Sequence, residues 1–279
     1  MNQSKLLKSL IESNETLVMP DAYDSISARI IEYIGFKAVQ CSGYSYAIAN
    51  CRKEEIDIDL KENLSITSKI VKSISIPVMA DGEDGFGGIE QIPDTIKSYI
   101  KIGVSGINLE DQILDKAAKG KVIDSTIMIE KIKAAKTTAE HNGNPDLVIN
   151  GRTDSISAFD SRQDGLRESI KRGNLYIEAG ADLVFVTNVR TLEEAKLLVK
   201  EINGPLSITA GLSYNIRNFT INDLKEIGVA RVSLPTIAIS SIIKTLMGTI
   251  DSLKNGNFEY ILDNKILCSS DDIARLIYK

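Results

Sequence analysis

The amino-acid sequence predicts an α/β protein in which eight parallel strands, alternating with helices, close into a (β/α)8 barrel. The chain has 279 residues, and about 250 residues are typical of a single barrel of this kind. Short runs rich in Val and Ile recur along it, as buried parallel strands require. Helix-patterned segments separate these runs, and parallel neighbours need such crossover connections. An open doubly wound sheet is the alternative.

The strands are predicted from a repeated pattern in which an amphipathic helix is followed by a glycine and then by an apolar run. It occurs at 31–43, 99–111, 176–188 and 224–235. In each copy the glycine lies just past the helix, where a left-handed C′ residue is needed. The predicted strands, in chain order, are 17–20, 38–41, 77–80, 106–109, 147–150, 183–186, 206–209 and 231–234.

The segment after the eighth strand exceeds what a barrel requires. Apolar residues at helical spacing predict a helix over 237–253, and Ser270 is the predicted N-cap of a last helix. No linker or low-complexity stretch divides the sequence. We therefore predict a single domain, 1–279, with the barrel at about 15–245 and a C-terminal helical extension at about 246–279.

Composition excludes several classes of function. A net charge of −5 argues against nucleic acid and anionic membranes as partners. Three scattered cysteines show neither zinc-ligand spacing nor a disulfide framework. His141 is the single histidine, so catalysis by histidine and multi-histidine metal sites are disfavoured. The N-terminus does not resemble a signal peptide, and no apolar run approaches the ~20 residues of a membrane span. These features predict a cytoplasmic protein.

Acidic residues collect where two neighbouring strands end. The third strand runs into MADGEDGFGG at 79–88, which places Asp81 and Glu83 in a glycine-rich loop, and Glu110 follows the fourth strand. Barrel chemistry lies at this end of the strands. Converging carboxylates repel one another unless a cation joins them. Ligation by oxygen alone suits Mg²⁺, with Mn²⁺ as an alternative.

Arg152 follows the fifth strand and offers a fixed positive fork for a substrate carboxylate or oxyanion. Structural roles compete with this interpretation. A lone arginine is often a surface ion-pair partner, and Asp24, Asp84 and Asp154 are expected to be helix caps or supporting groups rather than ligands. Three acids and an arginine on three successive strands nevertheless favour a functional site.

The sequence resembles the isocitrate lyase / phosphoenolpyruvate mutase superfamily in six stretches that follow barrel order. They are MPDAYDSISARIIEYIGFKAVQCSG, PVMADGEDGFG, GVSGINLEDQ, INGRTDS, GADLVFVTN and GVARVSLP. The resemblance implies a TIM-type barrel, usually tetrameric, whose C-terminal helices are exchanged between subunits. It also implies chemistry on a C–C or C–P bond next to a 2-oxo acid, through a Mg²⁺-stabilised pyruvate-type enolate.

Carried over to this chain, the resemblance assigns residue roles. Asp81 and Glu110 would hold Mg²⁺ directly or through water, and Glu83 stands where most members have Asp. Arg152 would steady the enolate oxygen, and Glu54 falls near the family's acid after the second strand. The residues assigned to substrate binding are Tyr23, Ser42, Gly43, Tyr44 and Asn188, with the backbone amides at 42–44 directed at the carboxylate.

The loop after the fourth strand departs from the family pattern. Lyases carry Lys-Lys/Arg-Cys-Gly-His there, and the phosphonopyruvate mutases carry a Lys-Thr-Asn stretch. Lys116 is retained as a candidate catalytic residue, but Ala118 occupies the position of the lyase cysteine or mutase asparagine. Because an alanine methyl cannot donate a proton, we expect negligible isocitrate and methylisocitrate lyase activity.

Three functions remain open from the sequence. The leading hypothesis is a Mg²⁺-dependent lyase or decarboxylase acting next to a 2-oxo or 2-hydroxy carboxylate. The second is a mutase or hydrolase of a phosphonopyruvate-like C–P bond. The third is a non-catalytic ligand-binding barrel, which Ala118 favours and which Asp81, Glu110 and Arg152 oppose. The expected partners are a small carboxylate substrate and further copies of the chain in a homotetramer.

Overall fold

Eight parallel strands form one sheet that curves into a barrel. The computed structural model describes residues 2–114 and 120–277. The strands are β1 (Leu17–Pro20), β2 (Val39–Gln40), β3 (Val78–Asp81), β4 (Gly106–Glu110), β5 (Val148–Thr153), β6 (Leu183–Val186), β7 (Leu206–Thr209) and β8 (Arg231–Leu234).

The strand order shows how the sheet closes. Neighbours run β1-β8-β7-β6-β5-β4-β3-β2, and every pairing is parallel. The ends of this series, β1 and β2, meet through a parallel bridge between Asp21 and Gln40. There the amide of Ala22 donates to the Gln40 carbonyl at 2.9 Å. The sheet is thus a nearly closed barrel, and the predicted (β/α)8 fold is confirmed.

Helices cover the outside of the barrel. The helices are α1 (Gln3–Ile11), α2 (Ser25–Ile34), α3 (Gly43–Ala49), α4 (Leu60–Ser73), α5 (Ile92–Ile102), α6 (Ser125–His141), α7 (Ser155–Ala158), α8 (Arg162–Glu178), α9 (Leu192–Glu201), α10 (Ile221–Glu226), α11 (Ile237–Lys254), α12 (Glu259–Asp263) and α13 (Ser270–Ile277). Gly35 and Gly103 cap α2 and α5 with φ of +101° and +88°. The repeated glycine therefore has the left-handed conformation that the sequence predicted.

Alternate strand residues face either the helices or the barrel interior. On β4, Ile107 and Leu109 belong to the core between the sheet and the helices. Asn108 faces the barrel interior, where its side-chain amide is hydrogen-bonded to the side-chain amide of Asn150 at 2.6 Å. The interior also holds Arg231, which is fully buried. Its guanidinium lies 5.4 Å from the centre of the Phe185 ring. At the level of these residues, the barrel interior is therefore polar and charged.

The C-terminal helices lie beyond the eighth strand, as predicted. Arg29 of α2 donates through Nε to the carbonyl of Leu276 in α13 at 2.9 Å, so α13 packs on α2. The predicted N-cap of the last helix is wrong by one residue. Ser269, not Ser270, caps α13, because its Oγ accepts the amide of Asp272 at 3.1 Å. Exchange of these helices between subunits stays a prediction. Within the described ranges, no helix is both long and apolar enough to cross a membrane.

Candidate metal and substrate site

The loop after β3 is sharply folded. Glu83 and Phe86 have φ of +49° and +58°, and the glycines at 85 and 87 have φ of +94° and +148°. Residues other than glycine rarely adopt such angles. The glycines permit the chain to turn within a few residues, so Asp81 and Glu83 both face the mouth of the barrel. This explains why a strand runs into a glycine-rich acidic segment.

Asp81, Glu83 and Glu110 form a buried carboxylate cluster. One oxygen from each lies within 4.8 Å of the others, and the three residues are 5%, 4% and 0% exposed. Asp81 Oδ1, Glu83 Oε1 and Glu110 Oε1 have no hydrogen-bond partner in the part of the chain that the structure describes. The sequence predicted that these three acids converge, and the structure brings them together.

The electrostatics of the cluster test whether its residues fit a cation. Burial, followed by the charges of Asp81 and Glu110, raises the pKa of the Glu83 carboxyl well above its usual range. Burial likewise raises the pKa of Glu110, against the attraction of Arg152. Buried carboxylates are stable when paired or bound to a metal. Three orphaned carboxylate oxygens are therefore a donor set that fits a hard divalent cation such as Mg²⁺.

Arg152 lies beside the cluster because β4 and β5 pair with Glu110 opposite Arg152. Its NH1 is 2.5 Å from Glu110 Oε2. Its Nε and NH2 donate to the two oxygens of Asp154 at 2.8 and 3.1 Å. Burial acts against the charged guanidinium, but Asp154 and Glu110 outweigh it and raise the pKa of Arg152 well above the ordinary value. Asp154 thus acts as a supporting group that holds the Arg152 guanidinium in place.

A cavity of about 440 Å³ opens at this end of the barrel. Its charged lining groups belong to Glu55, Asp81, Arg152 and Asp154. Hydroxyl and amide groups line it as well. Those from β5 onward belong to Ser157, Thr187, Asn188, Thr209, Tyr214, Ser233 and Thr236. The cavity can therefore hold a small polar molecule through both charged and neutral polar groups.

The predicted substrate contacts divide into two groups. Ser42, Tyr44 and Asn188 line the cavity. The amide of Gly43, which was predicted to face a substrate carboxylate, instead donates to Asp81 Oδ2 at 2.9 Å. Tyr23 is 8% exposed and belongs to a hydrophobic cluster outside the cavity wall.

The predicted catalytic residue Glu54 does not line the cavity. Glu55 lines the cavity, whereas Glu54 precedes a short 3-10 turn as its N-cap. The sequence could not fix the register of this connection, because it has no strand or helix period. Lys116 and Ala118 lie outside the described residues.

A buried network behind the site was not predicted. Asp111 Oδ2 accepts hydrogen bonds from Arg172 NH1 at 3.0 Å and from the Tyr176 hydroxyl at 2.7 Å. Its Oδ1 accepts the amide of Asp154 at 3.0 Å. Asp111 therefore fixes the residue that holds Arg152. Its place directly after Glu110 was the only sequence signal, because Arg172 and Tyr176 lie on a distant helix.

The chain is similar to known proteins over most of its length. The profile of the family described as phosphoenolpyruvate phosphomutase matches residues 7–254. The 2,3-dimethylmalate lyase of Eubacterium barkeri is 29% identical over 263 residues, which cover 91% of this chain and 87% of that protein. The chloroplastic carboxyvinyl-carboxyphosphonate phosphorylmutase of Arabidopsis thaliana is 31% identical over 264 residues, covering 89% and 74%. A solved structure of oxaloacetate acetylhydrolase has a TM-score of 0.83 at 25% identity, over 99% of this chain and 92% of that one.

Proposed function

Since the chain belongs to the isocitrate lyase / phosphoenolpyruvate mutase superfamily, we propose that it is a Mg²⁺-dependent lyase or decarboxylase acting next to a 2-oxo or 2-hydroxy carboxylate. The observation that carries this proposal is the orphaned carboxylate cluster of Asp81, Glu83 and Glu110, from which Asp81 lines the cavity. The names of the relatives support it, because a 2,3-dimethylmalate lyase and an oxaloacetate acetylhydrolase both take small carboxylates. The substrate would be a small carboxylate of this kind.

In this proposal the three cluster carboxylates hold Mg²⁺ or Mn²⁺, directly or through water. When bound, the cation supplies Lewis-acid stabilisation of the negative charge that develops on a substrate oxygen. Arg152 contributes a second fixed positive charge beside Glu110. Because Asp154 holds the guanidinium through two hydrogen bonds, Arg152 needs no rearrangement when an enolate forms.

In this proposal, other residues of the cavity bind the substrate and transfer a proton to or from it. Ser42 and Tyr44, at the start of α3, would contact the carboxylate next to the reacting carbon. Burial raises the pKa of the Glu55 carboxyl, against the attraction of Arg152. A carboxyl with a raised pKa suits proton exchange with a substrate near neutral pH. We therefore assign a proton-transfer role to Glu55, the neighbour of the predicted catalytic residue Glu54.

A C–P bond mutase or hydrolase is the second candidate. It is favoured by the phosphorylmutase that is 31% identical to the chain. Arg152 would then bind the oxygens of the phosphonyl group, for which a guanidinium fork is suited. The carboxylate cluster would have the same role as in the lyase, so the two functions differ in the bond that breaks.

A substrate panel tests the proposal. The full chain with Mg²⁺ is incubated with oxaloacetate, 2,3-dimethylmalate, methylisocitrate and phosphonopyruvate, and 2-oxo acid, CO₂ and phosphorus products are measured. We expect turnover of oxaloacetate or dimethylmalate above the rate of Mg²⁺ alone, little turnover of methylisocitrate, and loss of activity in Asp81→Ala. Asp94→Ala, which removes an exposed acid on α5 that pairs with Lys97, is the matched control and should keep its activity.

Other results of the substrate panel would indicate a different function. Turnover of phosphonopyruvate alone would select C–P chemistry. Rapid cleavage of methylisocitrate would show that another residue replaces the lyase cysteine. Wild-type rates equal to those of Asp81→Ala for every substrate would remove the enzymatic proposal and leave a ligand-binding barrel.

A further inference from the structure

Lys131 is a buried lysine on α6 whose side chain reaches the loop that follows β3. It is 4% exposed. Its Nζ donates to the carbonyl oxygen of Asp84 at 2.5 Å and to that of Gly87 at 2.9 Å. A buried ammonium is costly unless hydrogen-bonded. A lysine that merely covered the helix surface would extend its charge into water, so this inward conformation indicates a specific contact with the loop backbone.

The loop that Lys131 contacts contains strained backbone. Glu83 and Phe86 both have positive φ, although neither is a glycine. Such conformations are costly and persist only where the surroundings fix them. The Thr95 hydroxyl donates to the Gly85 carbonyl at 2.9 Å, and Lys131 ties the carbonyls on either side of it. The loop is therefore held along its length by side chains from α5 and α6.

The position of the Glu83 carboxylate depends on this loop. Glu83 is the one cluster acid that lies on the loop itself, since Asp81 ends β3 and Glu110 ends β4. The amide of Glu110 donates to the Glu83 carbonyl at 2.9 Å, which fixes one end of the loop. The contacts of Lys131 begin one residue after Glu83 and fix the other end.

We propose that Lys131 is a positioning residue for the cation site, which clamps the loop after β3 so that Glu83 faces Asp81 and Glu110. This inference rests on the proposed function, because it concerns the same cation site. Lys131 does not touch the cation or the substrate. Its effect is transmitted through the carbonyls of Asp84 and Gly87.

The sign of the effect distinguishes positioning from simple electrostatics. The Lys131 ammonium attracts Glu110 through space, so its charge opposes a cation bound at the cluster. Removing that charge alone would strengthen cation binding. Removing the clamp frees Glu83 to leave the cluster and would weaken cation binding. Weaker cation binding after loss of Lys131 would therefore indicate positioning, whereas stronger binding would indicate the loss of its charge alone.

The test measures Mn²⁺ affinity by electron paramagnetic resonance on the full chain and on Lys131→Met. The Lys131→Met protein should bind Mn²⁺ about 10–100-fold more weakly, as is typical when a group supporting a metal ligand is lost. Lys133→Met, two residues along α6, is the matched control. Lys133 is exposed and pairs with Glu130 at 3.0 Å, so its loss should leave the affinity unchanged. Lys131→Arg, which keeps charge and donors, should recover part of the affinity.

Hydrogen exchange of the amides at 82–88 supplies a second readout, and we expect faster exchange in Lys131→Met without any metal. Equal or tighter Mn²⁺ binding by Lys131→Met would overturn the inference while leaving the proposed function intact. Absence of Mn²⁺ binding by the wild type would overturn the cation site itself. If Lys131→Met does not fold, Lys131→Gln, which keeps a shorter donor, carries the same expectation.

Discussion

Asp21 is a buried carboxylate that lies near the cluster but does not belong to it. Its Oδ2 accepts the amide of Thr236 at 3.0 Å and the hydroxyl of Ser45, and its Oδ1 is buried without a partner among the described residues. Thr236 has a φ of +61°. Asp21 therefore joins the end of β1 to a strained residue after β8 that lines the cavity.

The environment of Asp21 predicts a pH-dependent stability. Burial, partly offset by the hydrogen bonds from Ser45 and Thr236, raises the pKa of Asp21 from 3.8 to about 6. The folded protein therefore binds this proton more tightly than the unfolded chain does. The contribution of Asp21 to the free energy of unfolding is highest at acidic pH and falls as pH rises from about 4 to 6, by up to about 3 kcal/mol.

Asp21→Asn should remove this dependence. The stability of the variant relative to the wild type should be higher at pH 7.5 than at pH 4.5, measured by urea unfolding of both proteins at each pH. Comparing the two differences cancels the constant effects of the substitution and the titration of distant groups. An unchanged difference between the two pH values would mean that Asp21 titrates normally.

At the residue scale, the sequence located those residues that follow a regular strand. Asp81 and Glu110 could be located because strand ends in a barrel meet at one mouth. Glu55 could not be distinguished from Glu54, because the connection that carries them has no periodic pattern. The bond between the Gly43 amide and Asp81 was also hidden, since it joins residues 38 positions apart.

Helix α3 closely approaches the loop after β3 at Gly43. An added Cβ on Gly43 would lie 1.6 Å from Glu83 Oε1. That oxygen is the tip of a flexible side chain, so the carboxylate can move while the backbone stays. The glycine is required by this close approach and not by its own backbone angle.

Gly43→Ala should therefore weaken cation binding without unfolding the protein. We expect the Glu83 carboxylate to leave the cluster and the Mn²⁺ affinity to fall about 10-fold or more, measured by calorimetric titration. Gly35→Ala should instead lower the stability of the fold and spare the cation site. Gly35 has a φ of +101° and open space around its Cα, so alanine there should cost about 1 kcal/mol of stability and leave the cation affinity unchanged. Unaltered affinity in Gly43→Ala would refute the steric argument.

At the scale of elements, the sequence predicted β1, β6, β7 and β8 to the residue, because short Val- and Ile-rich runs are bounded by glycine or polar residues. β5 extends to Thr153, three residues beyond the prediction. Its polar end has the composition of a loop. In the structure, however, Arg152 and Thr153 are paired with Phe185 and Val186 of β6. Partners supplied by a neighbouring strand cannot be recognised from one strand's own residues.

The whole molecule presents a large apolar surface on its C-terminal helices. On α11, Leu246, Met247 and Ile250 are 55%, 64% and 56% exposed. Contiguous apolar surface of this kind marks an interaction site. The resemblance to the superfamily predicted assembly through this region, and the exposed side chains agree with that prediction without testing it.

We expect the full chain to form a tetramer, or at least a dimer, at micromolar concentration in light scattering. Met247→Glu should shift the distribution toward monomers, because it would place a charge in a desolvated interface. Lys244→Gln, on the same helix, should not. A wild-type monomer under these conditions would show that α11 is not a subunit interface.

The lining of the cavity has a consequence for how such a protein can change over evolutionary time. Its charged groups come from β3, from β5 with the residue after it, and from the connection after β2, whereas Thr209 and Ser233 belong to β7 and β8. Substitutions at Thr209 or Ser233 alter the shape that the cavity offers to a substrate while the charged groups keep their places. One barrel can therefore change its substrate without rebuilding the residues that activate it.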